Sequence, residues 1–65
     1  MLTKEEAIQA MLKGKKVTHK YFNDDEYMFM EDDLFVFDDG MKLTQKEFWL
    51  SNRGFEWLTD WDYYK

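Results

Sequence analysis

Apolar and polar positions change their rhythm three times along the chain. Ala7, Ile8, Met11 and Leu12 recur at helical spacing and define one stripe of a helix near the amino end. Thr3 and Glu6 form a T-x-x-E capping box ahead of it, Leu2 and Ala7 are placed as a hydrophobic staple, and Lys13 complements the negative end of the helix dipole. Gly14 supplies the left-handed residue that ends the helix. At about ten residues such a helix is marginal alone, so its stripe must dock on another element.

From Lys16 the period becomes two. Val17, His19 and Tyr21 alternate with Lys16, Thr18 and Lys20, which predicts a half-buried strand over Lys16–Phe22. Asn23-Asp24-Asp25 reads as a turn, Glu26–Met30 as a second strand, and Glu31-Asp32-Asp33 as a second turn. Leu34–Phe37 makes a third strand, closed by the Asp-Gly signal of Asp38-Asp39-Gly40. In this meander the first and third turns lie at the same end of the sheet.

Thr44 and Glu47 repeat the capping signature and predict a short helix over Gln45–Ser51, with an extended edge strand over Met41–Trp49 as the competing reading. Asn52-Arg53-Gly54 ends that segment, and Phe55–Lys65 is expected to return as one or two strands. The fold class is therefore α+β: an N-terminal helix on an antiparallel β-meander of three to five strands, with the short second helix. Residues 1–65 form a single domain, because domains start near about 50 residues.

Two strands break the alternation expected of a sheet with one wet face. Tyr27 and Phe29 point one way while Met28 and Met30 point the other, and Phe35 and Phe37 likewise oppose Leu34 and Val36. Each large apolar side chain left in water forgoes roughly 1.5–3 kcal/mol. A second subunit packed sheet to sheet would cover the surplus, so a homo-oligomer, first a two-fold dimer, is expected. The alternative is a tail that folds across the second face and completes a monomeric core.

Composition narrows the function classes. With 14 acidic and 9 basic residues the net charge is −5, which argues against a nucleic-acid binder in need of a basic face. The absence of Cys excludes disulfides, cysteine-ligated zinc and a cysteine nucleophile. No apolar run reaches the ~18 residues of a membrane span, and the amino end lacks a signal-peptide pattern, so a cytoplasmic location is expected. Charge is segregated: residues 4–20 carry five lysines against two glutamates, and residues 21–41 carry eight acidic residues and no basic one.

The catalytic inventory is short. A nucleophile–base pair would have to be Ser51 with His19, and His19 shares a strand face with Val17 and Tyr21, which favours a structural role. The three glycines are isolated, so no phosphate-binding loop exists. The acidic turns do not follow the ligand spacing of a calcium loop. No catalytic residue, metal site or cofactor is assigned, and the chain is expected not to be an enzyme.

Two features remain. The acidic block can imitate a phosphate array and occupy the basic groove of a nucleic-acid-handling protein, with Asp24, Asp25, Glu26, Asp38 and Asp39 as the contact residues. The aromatic tail of Trp49, Trp57, Trp61, Tyr63 and Tyr64 belongs by default to the core.

The residues Ala7-Ile8, Gly14-Lys15-Lys16-Val17-Thr18-His19, Glu26-Tyr27, Asp39-Gly40, Phe48-Trp49 and the closing Trp57, Asp60-Trp61 and Tyr63 resemble a recurrent class of small bacteriophage and prophage proteins. The opening half also resembles the second Thoeris anti-defence family, phage proteins that assemble into oligomers and sequester a cyclic nucleotide signal at their subunit interfaces. The chain lacks that family's longer Gly/Pro-containing middle segment. The resemblance implies a phage origin and an oligomeric tendency. The leading expectation is an acidic phage-type inhibitor, for anti-defence or host takeover, that binds a host protein with a basic surface through protein–protein interaction. The alternative is an oligomeric sponge for a small nucleotide, held by Lys15, Lys16, His19, Lys20, Trp57 and Trp61, since phosphates need cations and bases need stacking surfaces. A third reading is an assembly protein with no inhibitory role. Neither direct nucleic-acid binding nor membrane binding is expected.

Overall fold

A computed structural model describes all 65 residues. Helix α1 spans Lys4–Leu12 and opens on the expected capping box: the Thr3 hydroxyl accepts the Glu6 N–H at 3.2 Å, and Glu6 Oε1 accepts the Thr3 N–H at 2.9 Å. Its end is a Schellman motif, with Gly14 at φ +84°, the Gly14 N–H donating to the Met11 carbonyl and the Lys15 N–H to the Ala10 carbonyl. The buried stripe is Ala7, Ala10 and Met11, so it is rotated from the expected one. Leu12 is 60% exposed and Ile8 half-buried. Two alanines let the helix backbone approach the sheet closely, and Leu12 falls off the edge of that contact.

Five antiparallel strands follow: β1 (Val17–His19), β2 (Met28–Glu31), β3 (Leu34–Phe37), β4 (Lys42–Thr44) and β5 (Trp61–Tyr63). Their order in the sheet is β4-β3-β2-β1-β5. The meander is as expected, but β1 stops at His19 and β2 starts at Met28, so Tyr21, Phe22, Glu26 and Tyr27 lie in the connection between them. The Phe22 N–H turns back to the His19 carbonyl at 2.9 Å, while the Lys20 N–H is taken by Asp60. Asp32 and Asp33 both have positive φ, 51° and 65°, the geometry of a two-residue type I′ hairpin turn between Glu31 and Leu34.

After Gly40 the helix reading holds over Gln45–Ser51, and the competing edge strand over Met41–Trp49 is realised only at its first residues, because the Thr44 cap starts the helix there. Lys42–Thr44 is the edge strand, and its last residue caps helix α2, which spans Gln45–Ser51. The tail departs from the expected run of strands: a 3-10 turn covers Phe55–Trp57, Asp60 turns the chain at φ 70°, and only Trp61–Tyr63 is strand. This last strand pairs with β1 on the side away from the meander, and Leu2 forms a two-bond bridge to Trp61 on its outer flank.

Register assigns the faces. Val17 opposes Met28, which opposes Phe37; Met30 opposes Phe35, which opposes Leu43; His19 opposes Trp61. These residues share the face onto which α1 and α2 pack, where Ala7, Ala10, Met11, Val17, Met28, Phe35, Phe48 and Trp61 form one buried cluster. Trp49 joins the helices, with the Lys4 ammonium 4.2 Å from its ring. The opposite face carries Phe29, Leu34 and Val36 with Thr18, Glu31, Lys42 and Asp62. Both helices and the tail tryptophans belong to the first face. On the second, Tyr64 rests against Tyr27 with ring centroids 4.7 Å apart, and the Lys16 ammonium lies 4.4 Å over the same ring. No helix in the chain is long and apolar enough to cross a membrane.

Candidate functional site

The β1–β2 and β3–β4 connections meet at one end of the sheet. Each is held by its own polar side chains, as Asn and Asp turns are. The Glu26 N–H donates to the Asn23 carbonyl at 2.9 Å, and Glu26 Oε1 accepts the Asn23 N–H at 3.1 Å. Asp39 Oδ1 accepts the Met41 N–H at 2.9 Å, and Gly40, at φ +88°, lets the chain reverse so that Phe37 and Met41 pair. The outcome is a depression of about 320 Å³ lined by Asn23, Asp25, Glu26, Asp38 and Asp39. Four of the five expected contact residues thus share one concavity, and Asp24 stands outside its lining.

None of these carboxylates is neutralised within the chain. The only ion pair is Lys42 with Glu31, 3.5 Å apart, more than half exposed, and of small energetic weight. No three His, Asp or Glu side chains converge as metal ligands. The acidic end therefore presents a field of spread carboxylates and no coordination cage.

Beside the depression runs a cleft of about 350 Å³ that shares Glu26, Asp38 and Asp39 with it. Its other walls include Tyr21, Phe22, Phe37, Met41 and Trp57. The sequence reading missed this cleft because it placed Tyr21 and Phe22 inside β1. The polar run from Lys20 to Glu26, broken only by those two aromatics, was the available signal that the connection starts earlier.

His19 is 3% exposed, and both ring nitrogens are engaged. Nε2 lies 2.7 Å from the Glu56 carbonyl and 2.9 Å from that of Thr59, while Nδ1 accepts the Tyr21 N–H at 3.1 Å. Two carbonyls on one side and a donor on the other assign the Nε2–H tautomer. The ring stacks on Trp57 at 4.2 Å and meets Trp61 edge-on at 4.8 Å. His19 is a clamp between β1 and the segment before β5, and Ser51 lies on the exposed surface at the end of α2.

The six residues of the nucleotide reading do not form one site. His19, Trp57 and Trp61 pack against one another, Trp61 donating its indole N–H to the Trp57 carbonyl at 3.0 Å. Lys20 lines a concavity with the buried His19 and Trp61, but Asp60 and Asp62 share it and would repel a phosphate. Lys15 and Lys16 line a third, of about 440 Å³, with Tyr63 and Tyr64. Set against protein-family models, curated proteins and solved structures, the chain matches none.

Proposed function

We propose that the chain is a small non-enzymatic phage-type inhibitor, serving anti-defence or host takeover, whose acidic turns bind the basic surface of a host defence or nucleic-acid-handling protein. The observation that carries this reading is the meeting of two acidic turns at one end of the sheet with no cation among them. Such an end steers association with a basic groove in the way a phosphate backbone does, and the steering weakens with salt. The test is capture of host proteins by the immobilised chain at low and high salt, with duplex DNA as competitor. Captured proteins should be nucleic-acid binders, should elute with salt, and should be displaced by DNA. A variant with Asp24, Asp25, Asp38 and Asp39 changed to Asn and Glu26 to Gln should capture none, because amide oxygens still serve the turn hydrogen bonds but carry no charge. Capture that survives both salt and the variant refutes the mimicry.

The chain is also proposed to act as a two-fold dimer through the open face of the sheet. That face, which no helix covers, presents half-buried Phe29 and Leu34 around a buried Val36, with charges of both signs, Lys16 and Lys42 against Glu31 and Asp62, so it can be self-complementary, whereas the acidic end would repel its own copy. Sedimentation should give twice the chain mass, and Phe29→Lys should give a folded monomer; a wild-type monomer at high concentration refutes the dimer.

The nucleotide reading keeps one supporting observation, the Lys15, Lys16, Tyr63 and Tyr64 concavity, which offers cations beside stacking surfaces. Thermal stabilisation by one member of a panel of cyclic dinucleotides and cyclic ADP-ribose isomers would favour it, and a flat response removes it.

A further inference from the structure

The apolar cleft beside the acidic depression has no role in folding that requires it to stay open, and its two chemistries are contributed by separate loops. Tyr21, from the β1–β2 connection, is 60% exposed, and Met41, from the β3–β4 connection, is 56% exposed. Large apolar side chains that project beside a concavity are characteristic of a surface that takes a partner. Phe22 and Trp57 reach in from the edge of the core.

The carboxylates restrict what that partner can be. Glu26 uses Oε1 and Asp39 uses Oδ1 in their turns, which leaves one oxygen of each free, and Asp38 has no hydrogen bond or ion pair in the chain. No Lys or Arg lines the cleft. An apolar occupant alone would strip water from three carboxylates without replacing it, and an acidic one would be repelled. A guanidinium satisfies both chemistries, because its flat face stacks on Trp or Tyr while its edge donates in parallel to carboxylate oxygens.

We infer that the cleft seats an arginine with an adjacent aliphatic residue, presented on an exposed basic segment of the partner protein. The guanidinium lies against the exposed ring of Tyr21 and the carboxylates of Glu26 and Asp38, beside Trp57, and the aliphatic side chain contacts Met41 and Phe22. This rests on the acidic end being the binding surface and adds the side chains that it selects. Electrostatics alone would take any cluster of positive charge, whereas the cleft prefers arginine paired with an apolar neighbour.

The experiment uses the full chain, isotopically labelled, titrated at low salt with three short capped peptides: one with an Arg-Leu pair, one with Arg-Ser, one with Gln-Leu. The Arg-Leu peptide should shift the Trp57 indole and the Tyr21, Phe22 and Met41 amides, and should bind about fivefold more tightly than Arg-Ser, the share expected from partial burial of one aliphatic side chain. The Gln-Leu peptide should not bind. Met41→Ser, at an exposed position, should remove the preference for Arg-Leu while leaving Arg-Ser affinity unchanged, whereas Tyr21→Ser, also at an exposed position, should weaken both Arg peptides by removing the stacking surface. Equal binding of the two Arg peptides, with shifts confined to Asp25, Asp38 and Asp39, overturns the cleft and leaves the acidic surface intact. No shift with either Arg peptide overturns both.

Discussion

Replacing His19 with phenylalanine keeps a ring of similar size on the same strand face, still able to stack on Trp57, and removes every hydrogen bond the imidazole makes. The Glu56 and Thr59 carbonyls lose the donor they share at 2.7 and 2.9 Å, and the Tyr21 N–H loses its acceptor at 3.1 Å. Each buried polar group left unpaired costs about 1–3 kcal/mol. Glu56 and Thr59 are exposed residues, so water can recover part of the loss at their carbonyls. The expected total is roughly 2–3 kcal/mol, against a whole-domain stability of roughly 3–10 kcal/mol for a chain this size. For so small a domain, that lowers the melting temperature by roughly 8–24 °C. Thermal and urea denaturation followed by circular dichroism would measure it, with an unchanged urea slope showing that the native state keeps its compactness. Exchange of the Tyr21 amide should accelerate before global unfolding, and nitrogen shifts of the wild-type ring should report the Nε2–H tautomer. A loss below about 0.5 kcal/mol, within the range of ordinary surface substitutions, would refute the clamp.

Three further outcomes follow from local geometry. Asp33→Gly should stabilise the protein by about 0.5–1 kcal/mol in the same denaturation assay, because φ 65° strains any residue with a Cβ and a type I′ turn favours Gly at its second position. Thr44→Ala should cost about 1 kcal/mol through loss of the α2 cap, in which the Thr44 hydroxyl accepts the Glu47 N–H at 3.1 Å. Glu47 should titrate below its ordinary value of 4.5, held there first by the Thr44 backbone N–H and then by the Thr44 hydroxyl. A carboxyl depressed on folding adds stability above its unfolded value and loses it as pH falls through the folded one, so the α2 contribution should fade as pH falls below 4.5. Carboxyl carbon shifts followed by NMR would locate the midpoint, and Thr44→Ala should raise it.

The features legible in the chain are those whose partners lie three or four residues apart. Both capping boxes, Thr3 with Glu6 and Thr44 with Glu47, form as their spacing implies, and so do the Gly14 stop, the Asp32-Asp33 reversal and the opposed apolar faces of β2 and β3. The acidic loops at one end of the sheet follow from the same logic, since a meander returns its first and third turns to one side.

Long-range closure decided the rest. The point where β1 ends depends on Asp60, forty residues on, which takes the Lys20 N–H in place of a neighbouring meander strand. His19 gains its role from carbonyls 37 and 40 residues away. Ala10 takes the core place expected of Leu12, an outcome set by how the helix docks on the sheet and not by its apolar spacing alone. The cleft exists only because the chain crosses the helix-covered face after α2 and sets Trp57 beside Phe22, with ring centroids 6.1 Å apart. Local hydrogen bonds are selected by spacing alone, whereas these contacts form only once the sheet has closed around its core and their loop entropy has been overcome together.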